Sequence, residues 1–267
     1  VGMTLGAIHE CKKIEVYSKQ DKGEWLYIYI DLEEIERGEQ EAIPIPIKKT
    51  PENGHIKAIS KSGTIIIWSK YDKQQDTAEE IIKETKIWTG RTFRKFIWGD
   101  AKSPYNYPIR ILINDEEIKA IDPLFFKKDK THFPEDPPAK LYEPTKINWP
   151  FGDEGEESEI IINYSLLPEE LRGIKGSGGK KGRFIDRNIG VSIIRNDREV
   201  YYEEIPHWPG ARFEDKDRHM GFEIIFGAEL DKEFTVKNIK RGAIPIKELK
   251  LLNFIFLYFE LCKLIQK

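Results

Sequence analysis

The sequence has only two cysteines, Cys11 and Cys262, in 267 residues. Two thiols cannot build a disulfide framework, so the fold rests on its core, and a reducing compartment is the natural setting. Long hydrophobic runs are also missing. The longest, Leu251–Cys262, is interrupted by Asn253 and Glu260 and is too short to span a bilayer. No membrane partner is therefore expected. Val1–Gly2–Met3–Thr4 lacks the basic-then-apolar pattern of a secretory leader, and the expected location is the cytoplasm. Nor is there an excess of charge of one sign. The 43 Lys and Arg against 46 Asp and Glu leave a net charge of −3, which excludes a strongly cationic nucleic-acid binder while leaving room for a local basic patch.

What is present is a surface-rich chain, 39% apolar, 33% charged and 12% aromatic. The aromatic content argues against disorder, and the length suits one large domain or two modest ones. Gly2–Ile8 reads as a loop entering a helix. Lys13–Ser18 and Glu24–Leu32 alternate as a hairpin around the turn cluster Asp21–Lys22–Gly23. Glu33–Asn53 is charged and reads as a loop, and Thr64–Trp68 (TIIIW) as a strand buried on both faces. Thr77–Trp98 has a helical period, with Ile81, Ile82, Thr85 and Trp88 on one face. Asn114–Asp115 and Asn196–Asp197 are hairpin turn signals. Prolines and charges from 126 to 155 mark a linker or insertion. Glu159–Leu166 and Gly221–Phe226 read as strands, and Ile246–Lys267 as an apolar terminal helix that must be buried or lie against a partner.

Familiar catalytic signatures fail. In Gly173–Gly182 the glycines have P-loop separation, but Gly179 stands where Lys is required and Lys180 where the hydroxyl is required. The five histidines form no HxxxH or His/Cys cluster, so no metal site is expected. There is no GxSxG elbow, and no pair of carboxylates is marked as catalytic.

Several stretches, in order along most of the chain, together resemble one superfamily. Gly2–Ala7 followed by Lys13–Lys19 (KIEVYSK) resembles the end of the nucleotide lid and the next strand in the GHKL ATPases. That group unites the ATP-binding part of DNA gyrase, heat-shock chaperones, histidine kinases and the mismatch-repair protein MutL. Ser62–Trp68 (SGTIIIW) resembles its late Gly-Thr strand. Arg91–Phe96 (RTFRKF), Ile111–Glu117 (ILINDEE) and Ile121–Leu124 (IDPL) resemble the segments that follow in the microrchidia-like and bacterial chaperone-like branches. Asn188–Glu199 resembles the hairpin of their transducer domain, and Phe234–Lys240 the loop that carries a phosphate-sensing lysine.

The resemblance implies an α+β chain: a partial Bergerat-type ATP-binding sheet and helix layer over 1–125, a linker or insertion over 126–155, and a transducer-like domain over 156–267. It implies that Gly2 and Gly6 let backbone N–H groups approach a triphosphate, that Thr64 offers a hydroxyl toward the adenine through water, and that Lys240 reaches the terminal phosphate. The Asn-bearing helix, the Asp-x-Gly-x-Gly loop and the water-activating acid of the family have no counterpart here, and Thr4 stands where many relatives have Lys. The expectation is a fragment that begins inside the lid and is inactive alone. ATP and magnesium are cofactors of the longer form. Its partners would be a DNA or protein client and a second copy of the chain. The alternative is a non-catalytic interaction module using Lys175–Arg183 or the terminal helix.

Overall fold

A computed structural model of the chain describes residues 2–52, 54, 61–73, 76–102, 107–127, 133–152, 155–172, 183–188, 190–203 and 218–236. The chain divides into two compact units, Val1–Thr77 and Ala78–Lys267. Both mix helices with mainly antiparallel sheets, so the protein is α+β. The expected helix 246–267, the Gly/Lys loop 173–182 and Lys240 lie outside the described residues. No described helix is long and apolar enough to cross a membrane.

Unit 1 opens with helix α1 (Gly2–Glu10), which runs straight into β1 (Cys11–Lys19). Then come β2 (Leu26–Asp31), a short helix α2 (Leu32–Glu36), β3 (Ile47–Lys48) and β4 (Gly63–Tyr71). The residues expected to be an unstructured loop after Leu32 thus contain α2 and β3. Asp31 caps α2, its carboxylate accepting from the Glu33 N–H at 3.1 Å. The sheet order is β3-β2-β1-β4, all antiparallel. One face is sealed by an aromatic cluster of Tyr17, Trp25 and Tyr27. On the other, Ala7 of α1 packs with Cys11 and Ile14.

The expectation that Thr64–Trp68 is buried on both faces is overturned. Among the described residues β4 pairs on one side only, with β1, and its residues alternate between half-buried and exposed. Ile66 is 45% and Trp68 36% exposed. A continuous apolar run fits an edge strand with one open face as well as it fits a buried strand, because the run contains no period to separate them.

Unit 2 begins with α3 (Ala78–Thr92) and α4 (Arg94–Trp98). The helix is where the periodicity puts it, but the buried face differs. Trp88 is 39% exposed, while Thr89, Gly90 and Thr92 are buried. The last turn docks instead: the Gly90 carbonyl accepts from the Ile121 N–H at 3.0 Å, and a Cβ at Gly90 would lie 2.5 Å from the Lys119 carbonyl. A two-residue hairpin follows, β5 (Leu112–Ile113) and β6 (Glu116–Glu117), with Asn114 and Asp115 both at positive φ, as a type I′ turn requires.

The rest of unit 2 is a six-stranded sheet built from β7 (Lys140–Leu141), β8 (Thr145–Phe151), β9 (Glu156–Leu166), β10 (Val191–Arg195), β11 (Arg198–Glu203) and β12 (Met220–Phe226). Its path is β11-β10-β12-β9-β7, with β8 also on β9 and β10 parallel to β12. Two strands therefore fall inside the stretch expected as a linker or insertion. The Asn196–Asp197 turn sits at positive φ, as its sequence suggests. Alternate residues of β9, β10 and β12 form the main core with Leu230 and Phe234, including Ile160, Ile162, Ile193, Phe222, Ile224 and Phe226.

Gly221 lies on the opposite face of β12, where a Cβ would strike the Pro123 carbonyl and come within 2.7 Å of Ser165 Oγ. Gly221→Ala is expected to destabilise the protein by about 1–3 kcal/mol through overpacking. Chemical denaturation measures this, and an unchanged midpoint would show that the 123–124 loop yields freely.

Candidate functional site

Two polar constellations stand out, one in each unit. In unit 1 the feature is a sheet face. Antiparallel partners share a face, so the pairs Ile14–Trp68, Val16–Ile66 and Ser18–Thr64 line up side by side on it. Helix α1 packs on this same face, with Ile8 and Val16 at the margin of the Ala7–Ile14 cluster. Helix α1 ends at Glu10, directly before β1, and its contacts with the sheet run through Ala7 and Ile8 onto Cys11, Ile14 and Val16.

The sequence-derived residues are distributed as follows. Gly2 and Gly6 both fall in α1, one turn apart. Gly6 is exposed, and a Cβ built there meets nothing within 4 Å. Thr64, the second residue of β4, is exposed, and its hydroxyl shares a 3.1 Å hydrogen bond with Ser18 Oγ. Thr64 stands on the sheet face against which Ala7 and Ile8 of α1 pack. Lys240 lies outside the described residues. Leu26 and Ile28, opposite Ser18 and Val16 on β2, extend the face, and Leu26 is 46% exposed. On this face Ile14 is buried under α1, Leu26, Ile66 and Trp68 stay exposed, and the Ser18 and Thr64 hydroxyls stand at one end.

Beside this face, Lys70 Nζ reaches Asp31 at 2.9 Å and Glu33 at 2.7 Å. Burial works to raise the Asp31 pKa, but the Lys70 ammonium outweighs it and holds the carboxyl below its ordinary range. A magnesium ion needs several free oxygen ligands. Asp31 and Glu33 are already taken by Lys70, and no group of three or more His, Cys, Asp or Glu among the described residues could hold a metal. The described residues do not fit a magnesium site.

In unit 2 the feature is a buried charge cluster that the sequence did not reveal. Arg94, at the start of α4, is 1% exposed. Its guanidinium donates to Glu199 Oε2 at 2.9 Å, Glu223 Oε2 at 2.6 Å, Ser192 Oγ at 2.6 Å and the Arg91 carbonyl at 2.9 Å. Arg91 Nε donates to the other oxygen of Glu199 at 2.6 Å. Asn163 holds the other oxygen of Glu223 at 3.1 Å, with Lys95 at 3.4 Å. Ser192, Glu223 and Asn163 are register partners on β10, β12 and β9, so they form one polar row across the sheet beneath α3 and α4. A signal for Glu223 does exist: it stands in Phe222–Glu223–Ile224, flanked by apolar residues of a buried strand.

Burial pushes the Glu223 pKa upward, yet Arg94 and Lys95 outweigh it and hold the carboxyl below its usual 4.5. Asp122 goes the other way. It is buried, and burial raises its pKa although the Leu124, Phe126 and Lys127 N–H groups donate to its carboxylate. Most donors and acceptors of the Arg94 cluster are spent inside it, although the buried Arg94 Nε has no hydrogen-bond partner among the described residues. The cluster ties the helices to the sheet.

No known protein-family model matches the sequence, and no curated protein is significantly similar to it. The reading of both constellations therefore rests on their own geometry.

Replacing Arg94 by Met leaves two buried carboxylates facing each other. It is expected to cost about 3–5 kcal/mol in urea unfolding, and the triple change R94M/E199L/E223L to recover most of that loss. A single variant as stable as wild type would show that water reaches the cluster. Glu223 also sets a pH window. Its folded pKa is depressed, so its contribution is complete above about pH 4.5 and is lost as pH falls through the folded value. Glu223→Gln should lower stability at neutral pH and flatten the acid limb, read from unfolding free energy between pH 6 and about pH 3.

Proposed function

We propose that the chain is part of an ATP-driven conformational switch of the GHKL type. In this reading residues 1–125 supply the back of a Bergerat-type nucleotide site, and residues 156–267 form the transducer-like part that passes the nucleotide state to a DNA or protein client. One observation supports the reading. Helix α1, which carries Gly2 and Gly6, packs against the sheet face on which the Thr64 hydroxyl stands. Helix starts attract phosphate through free N–H groups. Glycines at Gly2 and Gly6 keep that approach open. The flat apolar strip of Val16, Ile28 and Ile66 suits a purine ring, and a strand-end hydroxyl can specify its edge.

Hydrolysis belongs to a longer form that carries the Asn helix, the Asp-x-Gly-x-Gly loop and the activating acid. Chemistry on magnesium is assigned to that part as well, and no step is routed through the residues described above. The role of Lys240 as a sensor of the terminal phosphate rests on the resemblance of its loop. The alternative, a non-catalytic interaction module, draws on residues 173–182 and 246–267, which lie outside the described structure, so no described observation favours it.

The test compares ATP binding by this chain and by an N-terminally extended one. Binding and hydrolysis by the extended chain are expected, and the absence of both would end the proposal. Gly6→Ala separates ligand from fold. With open space around the new methyl group, helix propensity predicts a gain of about 0.5–1 kcal/mol in stability. If Gly6 faces phosphate, ATP affinity of the extended chain nevertheless falls. A stabilised variant with unchanged affinity removes Gly6 from the site, and an unchanged ATPase rate in Lys240→Ala removes Lys240.

A further inference from the structure

We propose that a cleft in unit 2, walled by Phe125, Phe133, Leu171 and Phe184, binds a small, neutral aromatic molecule. The cleft has a cavity volume of about 70 Å³, which restricts its occupant to a small molecule. It lies wholly within unit 2, so it stands or falls independently of the nucleotide reading.

The walls come from four separated stretches of chain: 120–127, 133–138, 167–171 and 183–185. Each is tied down. Asp122 gathers the 124–127 loop through three backbone N–H groups. The Phe125 carbonyl accepts from the Ala139 N–H at 2.8 Å, and Ser165 Oγ donates to the Leu124 carbonyl at 2.6 Å. Arg183 forks onto both carboxylate oxygens of Asp136. The cavity is thus set by the fold and requires no ligand to shape it.

Charge narrows the occupant. Each cation on the described wall already has its anion: Arg183 with Asp136, and Lys127 with Asp100. The Asp122 carboxylate is consumed by backbone donors. Among the described residues of the wall, no uncompensated charge remains to attract phosphate, carboxylate or ammonium, and a charged ligand would lose its hydration without gaining a partner. The apolar lining sets three phenylalanines and the Pro137–Pro138 pair beside Ala120, Ile121, Leu167, Leu171 and Ile185. The Arg183 guanidinium lies 4.6 Å from the centroid of the Phe133 ring, adding a planar polar edge to the rim. Three aromatic rings from three separate stretches offer ring-to-ring contacts that an aromatic occupant can use and an aliphatic one cannot.

Backbone strain points to the same place. Nine described non-glycine residues have positive φ. Four are the Asn and Asp residues of the two hairpin turns, where that conformation is ordinary. Only two are aromatic, Phe125 at 52° and Phe184 at 61°, and both line this cleft. Bulky side chains rarely adopt this region, and such outliers gather where a ligand is clamped.

The experiment titrates the whole chain with 5-fluoroindole and follows the fluorine resonance. Saturable broadening is expected for the wild type. Leu171→Trp fills the cleft and should abolish it. Phe184→Gly removes one wall while relieving the backbone, so affinity should fall by about tenfold or more while the melting temperature holds or rises. Absence of saturable binding to the wild type overturns the proposal, as does equal affinity in both variants. If Leu171→Trp fails to fold, Phe184→Gly decides alone, and unchanged affinity there is equally fatal. Gly6→Ala should leave 5-fluoroindole binding untouched, which separates this result from the nucleotide test.

Discussion

The second unit of this protein depends on a single guanidinium removed from water. Arg94 sits at the junction of two helices and is neutralised by Glu199 and Glu223 from two strands of the sheet below. An isolated charge at that depth would be prohibitive. The surrounding geometry follows from the need to avoid one. Ser192 bridges Arg94 and Glu199, Asn163 satisfies the spare oxygen of Glu223, and Arg91 completes Glu199 while its guanidinium lies over Tyr202 at 4.0 Å. The helices carry their cations on the side that faces the sheet, and the sheet answers with a polar row across adjacent strands. Its opposite face is left free to be wholly apolar.

Unit 1 solves a different problem. Its small sheet seals one face with tyrosines and a tryptophan, and covers the other only in part with α1. The remaining Leu26, Ile66 and Trp68 stay open. On the sealed side the Tyr27 and Tyr29 hydroxyls donate to Glu15 and Glu34.

Much of the fold was legible because the information was local. Asn-Asp turns demand left-handed backbone, and both hairpins built on them are present. The strands at 11–19, 26–31, 156–166 and 220–226 carry periods or β-branched runs that few other conformations satisfy. Burial was less legible. An apolar run such as Ile65–Ile66–Ile67 has no period, so it could not reveal that β4 is an edge. The α3 stripe failed at Trp88 because docking is set by the small residues of the last turn and the chain at 119–121. Of the candidate site, Gly2, Gly6 and Thr64 were named from resemblance, while the Arg94 cluster was missed entirely. Its members are 105 and 129 residues apart in sequence, and each alone looks like surface charge. The aromatic cleft was hidden for the same reason, since its walls meet only after the chain has folded.

That separation has a consequence for how the molecule could be divided. The compensating charges span positions 94 to 223, so a cut anywhere between Trp98 and Val191 places the guanidinium on one piece and both carboxylates on the other. Neither piece could rebuild its interior without stranding an ion. Unit 2 therefore has no natural seam. A protease that nicks it between those positions should leave two fragments that remain associated, held by the same handful of ionic contacts that made the whole indivisible.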